Sequence, residues 1–303
     1  MTYIIDKRFD NKTVKEYITT YLDLSSKMIT RLKNNEKGIM LNGKRVTVRA
    51  VMRTDDILEL DTESELRTSD NIVAVKLPLD ILFEDDHFII LNKPPYMPTH
   101  PSHDHYRDTL ANAISFYYES KGVPFVFRAV NRLDKNTSGI VIFAKSSTAA
   151  NLFSRLQQNK LVTKKYLALV EGKTDEHGII EGYIRRRDKS IILREFSTDK
   201  QFDNDAYSKT EYNTLASNDY CSLLELKLWT GRTHQIRVHT KSIGHSILGD
   251  DLYGTEGVYS RHMLHSHLIK FEHPFTKKEI CITASIPDDF LKVMKEKGIE
   301  YEL

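Results

Sequence analysis

Short apolar runs of strand length recur along most of this chain, with few helix-period stretches between them. VAVKL, ILFED, HFIILNK, IVIFA, KKYLALVEG, SKTEYNTLAS, YCSLLELKLWTGR and KEICITASIP all read as strands. Helices are expected over RDTLANAISFYYES at 107–120 and over STAANLFSRLQQ, with Ser147 or Thr148 near its start. Strand and helix do not alternate regularly, which excludes a βαβ rhythm. The expected fold is α+β, with a mixed, mostly antiparallel sheet. There is no internal repeat and no low-complexity segment.

The first seventy residues read differently. DLSSKMITRLKNN has a helical stripe in Met28, Ile29 and Leu32, an N-cap in Ser25 or Ser26, and a stop at Asn34-Asn35 and Gly38. GIMLNGKRVTV follows as two strands around Asn42-Gly43, the strongest two-residue hairpin signal. ILEL closes this small unit. DTESELRTSDNI at 61–72 is polar and aperiodic and reads as a linker. The expected division is a small helix-plus-hairpin domain with linker at 1–72 and a larger domain at 73–303.

Net charge is only +2 over 303 residues, but its distribution is uneven. Residues 1–53 carry twelve Lys/Arg against five Asp/Glu, with Lys27, Arg31, Lys33, Lys44, Arg45 and Arg49 around the helix and hairpin. A phosphate-binding face and an ordinary solvated surface both fit that patch. Hydrophobic residues at 40% allow a real core, and no apolar run approaches a membrane span. The N-terminus lacks a signal-peptide pattern, and the two cysteines, Cys221 and Cys281, form no C-x-x-C pair. A cytoplasmic protein without disulfides is expected.

Most catalytic signatures are missing. There is no G-x-S-x-G elbow and no Gly-rich phosphate loop. His262, His265 and His267 do not share one strand face, and His234 and His239 are five apart, so structural histidines are expected rather than metal ligands. No metal and no cofactor is implied. What stands out is Asp134 in NRLDKNTSGIVIFAKS, a carboxylate flanked by cations at the lip of an apolar strand. A surface turn and a catalytic carboxylate both explain it. An arginine nearby would hold it ionised. TGRTHQIRVHT offers Arg232 and Arg237, with Thr233 as the expected cap of a helix running to about Ser242 and ended by Gly244.

Several of these segments together resemble one family. NRLDKNTSGIVIFAKS is similar to the R-L-D-x-x-T-S-G signature of the RluA-type RNA pseudouridine synthases. LNKPPYMPTHPS, TKKYLALVEG, GRTHQIRVH and LHSHLIKFEHP are similar to further family segments, in the expected order, between about residues 80 and 290. Asn131 stands where many members have His, and Pro95 lies in a turn that more often carries Gly nearby. The N-terminal unit more loosely resembles the alpha-L RNA-binding domain.

The resemblance implies isomerisation of uridine to pseudouridine in ribosomal RNA or tRNA, with no cofactor. It implies Asp134 as nucleophile, Arg232 as its ion-pair partner, and Tyr166 against the target base. Arg132 would fill the vacated stack or touch a neighbouring nucleotide. Lys27, Arg31, Lys33, Lys44 and Arg45 would contact RNA. A monomer without an obligate protein partner is expected. A non-catalytic RNA-binding or ribosome-assembly factor is the alternative. A nucleoside glycosidase would want a second carboxylate in comparable context, and none is evident.

Overall fold

The computed structural model describes residues 2–22, 24, 26–61, 72–188, 190–255, 257 and 259–301, without the side chain of Lys27. Its strands form two sheets with separate apolar cores. The first contains β1 (Thr2–Ile4), β2 (Ile39–Leu41), β3 (Lys44–Arg45) and β4 (Ile57–Leu60), in the order β1-β4-β2-β3. Leu41 pairs with Lys44, and Asn42 and Gly43 between them take φ of 50° and 73°. Both turn residues are thus left-handed, as a tight two-residue hairpin requires.

A capping box between Thr13 and Glu16 starts α1 (Val14–Glu16), which runs on through one π-helical turn at Tyr17–Tyr21. α2 (Ser26–Asn34) buries Met28, Ile29 and Leu32 beside Val14, Ile18 and Leu58. Neither β1 nor α1 was expected, because three residues are too few to show a period. The Ser25 cap and nearly all of the 61–72 linker lie outside the described residues.

The second sheet has ten strands. They are β5 (Ile81–Glu84), β6 (Phe88–Lys93), β7 (Ser138–Ala144), β8 (Thr163–Glu171), β9 (His177–Arg186), β10 (Arg194–Ser197), β11 (Ala206–Ser217), β12 (Cys221–Leu228), β13 (Leu264–Glu272) and β14 (Glu279–Thr283). Their order is β10-β9-β11-β12-β8-β13-β7-β6-β5, with β14 also on β13. Only the β13–β7 pairing is parallel. The sheet is mixed and mostly antiparallel, as the sequence indicated.

Four helices accompany it: α3 (Leu110–Ser120), α4 (Ser147–Gln158), α5 (Gln235–Ser242) and α6 (Asp288–Glu296). The run IVIFA is continuously apolar because both its faces are covered. Ile140, Ile142 and Ala144 pack in the cluster that holds Phe153 of α4, and Val141 and Phe143 in the one that holds Ile114 of α3. Each buried Ile, Val or Phe side chain here contributes about 1.5–3 kcal/mol.

Two expectations need correction. VAVKL is not a strand. Its amides turn to α3 instead, with Val75 N donating to Asn112 O and the Asn112 side chain donating to Val73 O. The helix of the GRTHQIRVH block begins at Gln235, with His234 rather than Thr233 at its cap. The helix over STAANLFSRLQQ begins at Ser147, as expected, and the Ser146 hydroxyl caps it by accepting from Ala149 N. Strands β9 and β10 and helix α6 were not foreseen.

Candidate active site

The lip that carries Asp134 is built from below by two buried cations. Thr137 N donates to Asp134 O at 3.1 Å, closing a tight turn at the entrance to β7. Lys93, fully buried at the end of β6, donates to the carbonyls of Pro94, Met97 and Lys135 at 2.9, 2.9 and 3.0 Å. Burial pushes its pKa down to about 7, yet three carbonyl partners use all three protons of an ammonium. Arg261, 1% exposed, donates through Nη1 to Asn136 O at 3.1 Å and is gripped by both carboxylate oxygens of Asp289. The turn therefore hangs on backbone carbonyls, which leaves the Asp134 side chain free for other partners.

Thr137, Ser138 and Gly139 join β7 to β13. The Thr137 hydroxyl bonds His262 Nε2 at 2.8 Å, and the Ser138 hydroxyl bonds His265 Nδ1 at 2.9 Å. Burial pushes His262 down to about 3 and His265 to about 4, so both rings are neutral at ordinary pH. Gly139 sits at φ +106°, where an added Cβ would lie 2.2 Å from Ser266 O. Only a glycine lets β13 come this close. Asn131 bridges the same strand, donating to Ile140 O and accepting from Ile142 N.

The Asp134 carboxylate is 31% exposed and faces Arg237, not Arg232. Arg237 Nη1 donates to Asp134 Oδ2 at 3.3 Å. The same guanidinium grips buried Asp250 through Nε and Nη2 at 2.8 and 2.7 Å, and reaches Asp251 at 3.3 Å. His234 Nε2 lies 3.8 Å from Asp134 Oδ2. Its Nδ1 bonds the Tyr253 hydroxyl, which also accepts from Arg194 N. Burial lowers the His234 pKa, against the pull of Asp134.

The expected Asp134–Arg232 pair does not form. His234 takes the left-handed φ of 56° before α5 begins. Arg232, ahead of that turn, stays exposed and donates through Nε to Tyr207 O. Arg237 follows it, in a helical stretch buried from Gln235 to Thr240. Both arginines belong to the same motif, and only the turn at His234 distinguishes them. The anchoring carboxylate Asp250 had no signal in the sequence reading at all.

Asp134, Tyr166, Arg132, Arg232, His234 and Arg237 all line one cleft of about 320 Å³. Tyr166 on β8 is 7% exposed. Burial, with the charge of Asp134 adding to it, pushes its phenol up to about 12, while the Ser266 side chain hydrogen-bonds to it. Arg132 is exposed at the rim. Of the N-terminal cations, Lys33, Lys44 and Arg45 are exposed and Arg31 is half-buried, and none lines the cleft. The Lys27 side chain lies outside the described residues. Among the described residues no group of three or more His, Cys, Asp or Glu is placed to hold a metal ion, and no helix is long and apolar enough to cross a membrane.

Comparison with known proteins places the chain in a family. Residues 87–242 match the model of a family described as RNA pseudouridylate synthase. The uncharacterized RNA pseudouridine synthase YjbO of Bacillus subtilis is 37% identical over 285 residues, 93% of this chain and 98% of that protein. Ribosomal large subunit pseudouridine synthase D of Vibrio cholerae is 33% identical over 85% of this chain and 82% of its own length. Among solved structures, human RNA pseudouridylate synthase domain containing 1 superimposes with a TM-score of 0.58 at 28% identity, covering 72% of this chain and 86% of that one. The chain belongs to the RluA-type family of RNA pseudouridine synthases, isomerases that convert uridine to pseudouridine within RNA.

Proposed function

We propose that this enzyme isomerises particular uridines in structured RNA, ribosomal RNA or tRNA, with Asp134 as its nucleophile. The observation that carries the assignment is the half-exposed Asp134 carboxylate, held by a buried arginine whose other nitrogens are already committed to Asp250. Asp134 is thus held in one direction on the wall of the cleft. Large-subunit ribosomal RNA is the first substrate to test, because several relatives of about 33% identity are named for it.

The reaction breaks the bond between ribose C1′ and N1 of the base, forms one between C1′ and C5, releases the C5 proton and returns a proton to N1. A stacked uridine must first leave its helix, at a cost of a few kcal/mol. Phosphate contacts from Lys and Arg offset that cost. Arg132 at the rim meets the space the base leaves or a neighbouring nucleotide. Tyr166 forms an aromatic wall against the turning base, and its hydroxyl serves the C5 proton after the Asp134 charge is consumed. Arg232 contacts the RNA backbone. In the N-terminal unit at 1–72, an alpha-L-like RNA-binding module in this reading, Lys27, Arg31, Lys33, Lys44 and Arg45 add distal phosphate contacts. In this reading the enzyme acts as a monomer in the cytoplasm.

The test is tritium release from RNA labelled at C5 of uridine, with whole ribosomal RNA and mixed tRNA as substrates. Release by the wild type and none by Asp134→Asn is expected. Release unaffected by the substitution sinks the nucleophile. Tight binding without release from any RNA, free or in ribosomal particles, favours the non-catalytic binder.

A further inference from the structure

The cleft around Asp134 is open at the side where α4 meets the end of β12. A groove of about 640 Å³ continues it there, sharing Ala129, Val130, Gln157, Leu228 and Arg232 with the cleft. Three lysines line this groove: Lys160 just beyond α4, Lys164 on β8 and Lys227 on β12. Among the described residues, no carboxylate lines it. Other lysines on or just beside the sheet are paired: Lys165 with Glu225, Lys209 with Glu181 and Lys145 with Glu84. Among the described residues, no carboxylate lies within salt-bridge distance of Lys160, Lys164 or Lys227, although the Lys160 charge reaches Glu181. Lys164 donates only to the amide oxygen of Gln157 at 2.7 Å, and burial lowers its pKa to about 8.

The wall between these lysines is Trp229, the only tryptophan of the chain. Its Nε1 donates to Glu211 at 3.1 Å, which fixes the indole, and the Lys227 ammonium lies 4.1 Å from the ring centroid. A fixed aromatic surface beside lysines that make no close salt bridge suits a chain that alternates flat bases with phosphates. An acidic peptide would satisfy the lysines but leave the continuity with a uridine cleft without purpose.

We propose that this groove binds the single-stranded RNA segment adjoining the target uridine, with phosphates on Lys160 and Lys227 and a base against Trp229. The proposal rests on the uridine occupying the Asp134 cleft, and its test reads binding rather than chemistry, so the two can fail separately.

The single tryptophan makes the test direct. The full chain is titrated with a short oligouridylate and with total ribosomal RNA, while binding is followed by filter retention and Trp229 by its emission and its quenching by acrylamide. Trp229→Phe supplies the blank. Bound RNA is expected to alter the emission and shield the indole. Lys160→Ala with Lys227→Ala is expected to weaken binding at low salt by at least about tenfold, and to lower the slope of log affinity against log salt by about 1 per lysine. RNA retained with Trp229 still fully open to acrylamide overturns the proposal, as does an unchanged salt slope in the double variant. Failure of every RNA to bind overturns it together with the proposed function. Shielding without tritium release leaves the groove standing and removes only the chemistry.

Discussion

Arg237 holds Asp134 with one nitrogen at 3.3 Å while two others grip Asp250 at 2.7 and 2.8 Å. The guanidinium is 4% exposed and Asp250 fully buried. Bidentate pairing of this kind sets direction as well as energy. The looser bond to Asp134 therefore comes from a buried group that cannot swing.

A lysine cannot make that two-sided grip. Arg237→Lys is expected to lower turnover at least about a hundredfold, roughly 2.7 kcal/mol of barrier. Arg232→Lys is expected to change turnover less than about tenfold and to weaken RNA affinity instead. Steady-state kinetics on ribosomal RNA separates the two. Equal losses of turnover in both variants would return Arg232 to the nucleophile.

Tyr166 offers a ring and a hydroxyl, and two substitutions divide them. Tyr166→Phe is expected to bind RNA within about twofold of wild type yet release tritium at least about a hundredfold more slowly, the usual scale for losing a proton-transfer group. Tyr166→Leu should lose affinity as well. A Phe variant with near-wild-type release would reduce Tyr166 to its ring.

The Thr-Ser-Gly run predicts a graded loss of stability, measurable by denaturant unfolding. Thr137→Val and Ser138→Ala each strip a buried histidine of its hydroxyl partner and should cost about 1–3 kcal/mol. Gly139→Ala should be worse than either, since its Cβ meets backbone at 2.2 Å from residue 266 and the φ of +106° is unfavourable for any side chain. An Ala variant as stable as wild type would contradict the β7–β13 contact.

Acid should unfold the protein through its buried histidines first. His262 and His265 have folded pKa values near 3 and 4, and His239 near 4, all below the ordinary 6.5. The unfolded chain therefore binds more protons below pH 6.5. Stability is intact above that value and falls as pH drops toward the folded values, by about 1.4 kcal/mol per unit for each such ring. Carboxylates held low, such as Glu84 at about 2, begin to contribute only below about pH 4.5. Between pH 6.5 and 4.5, Tm of the wild type should fall, and His262→Gln should fall less steeply. Parallel Tm curves would exclude His262 from the effect.

The strands of the large sheet, the helix over STAANLFSRLQQ and the Asn42-Gly43 hairpin were legible because each is set by local pattern: a continuous apolar run, a 3.6-residue stripe, a turn that needs two left-handed residues. Asp134 was legible from its odd position at a strand lip. VAVKL was misread because its composition suits a strand while its amides have partners on α3. The choice between Arg232 and Arg237 depended on one left-handed residue, His234, which no propensity marks.

The amino-acid sequence by itself determined the mixed sheet and the family and singled out Asp134 as a candidate, because those follow from periodicity and from short motifs read in order. Only the tertiary structure decided which arginine meets that carboxylate, that Asp250 anchors it, and that Lys93 and Arg261 suspend its loop. These are contacts between residues far apart along the chain. They form where buried charges must find partners, and that requirement is imposed by packing, not by neighbours in sequence.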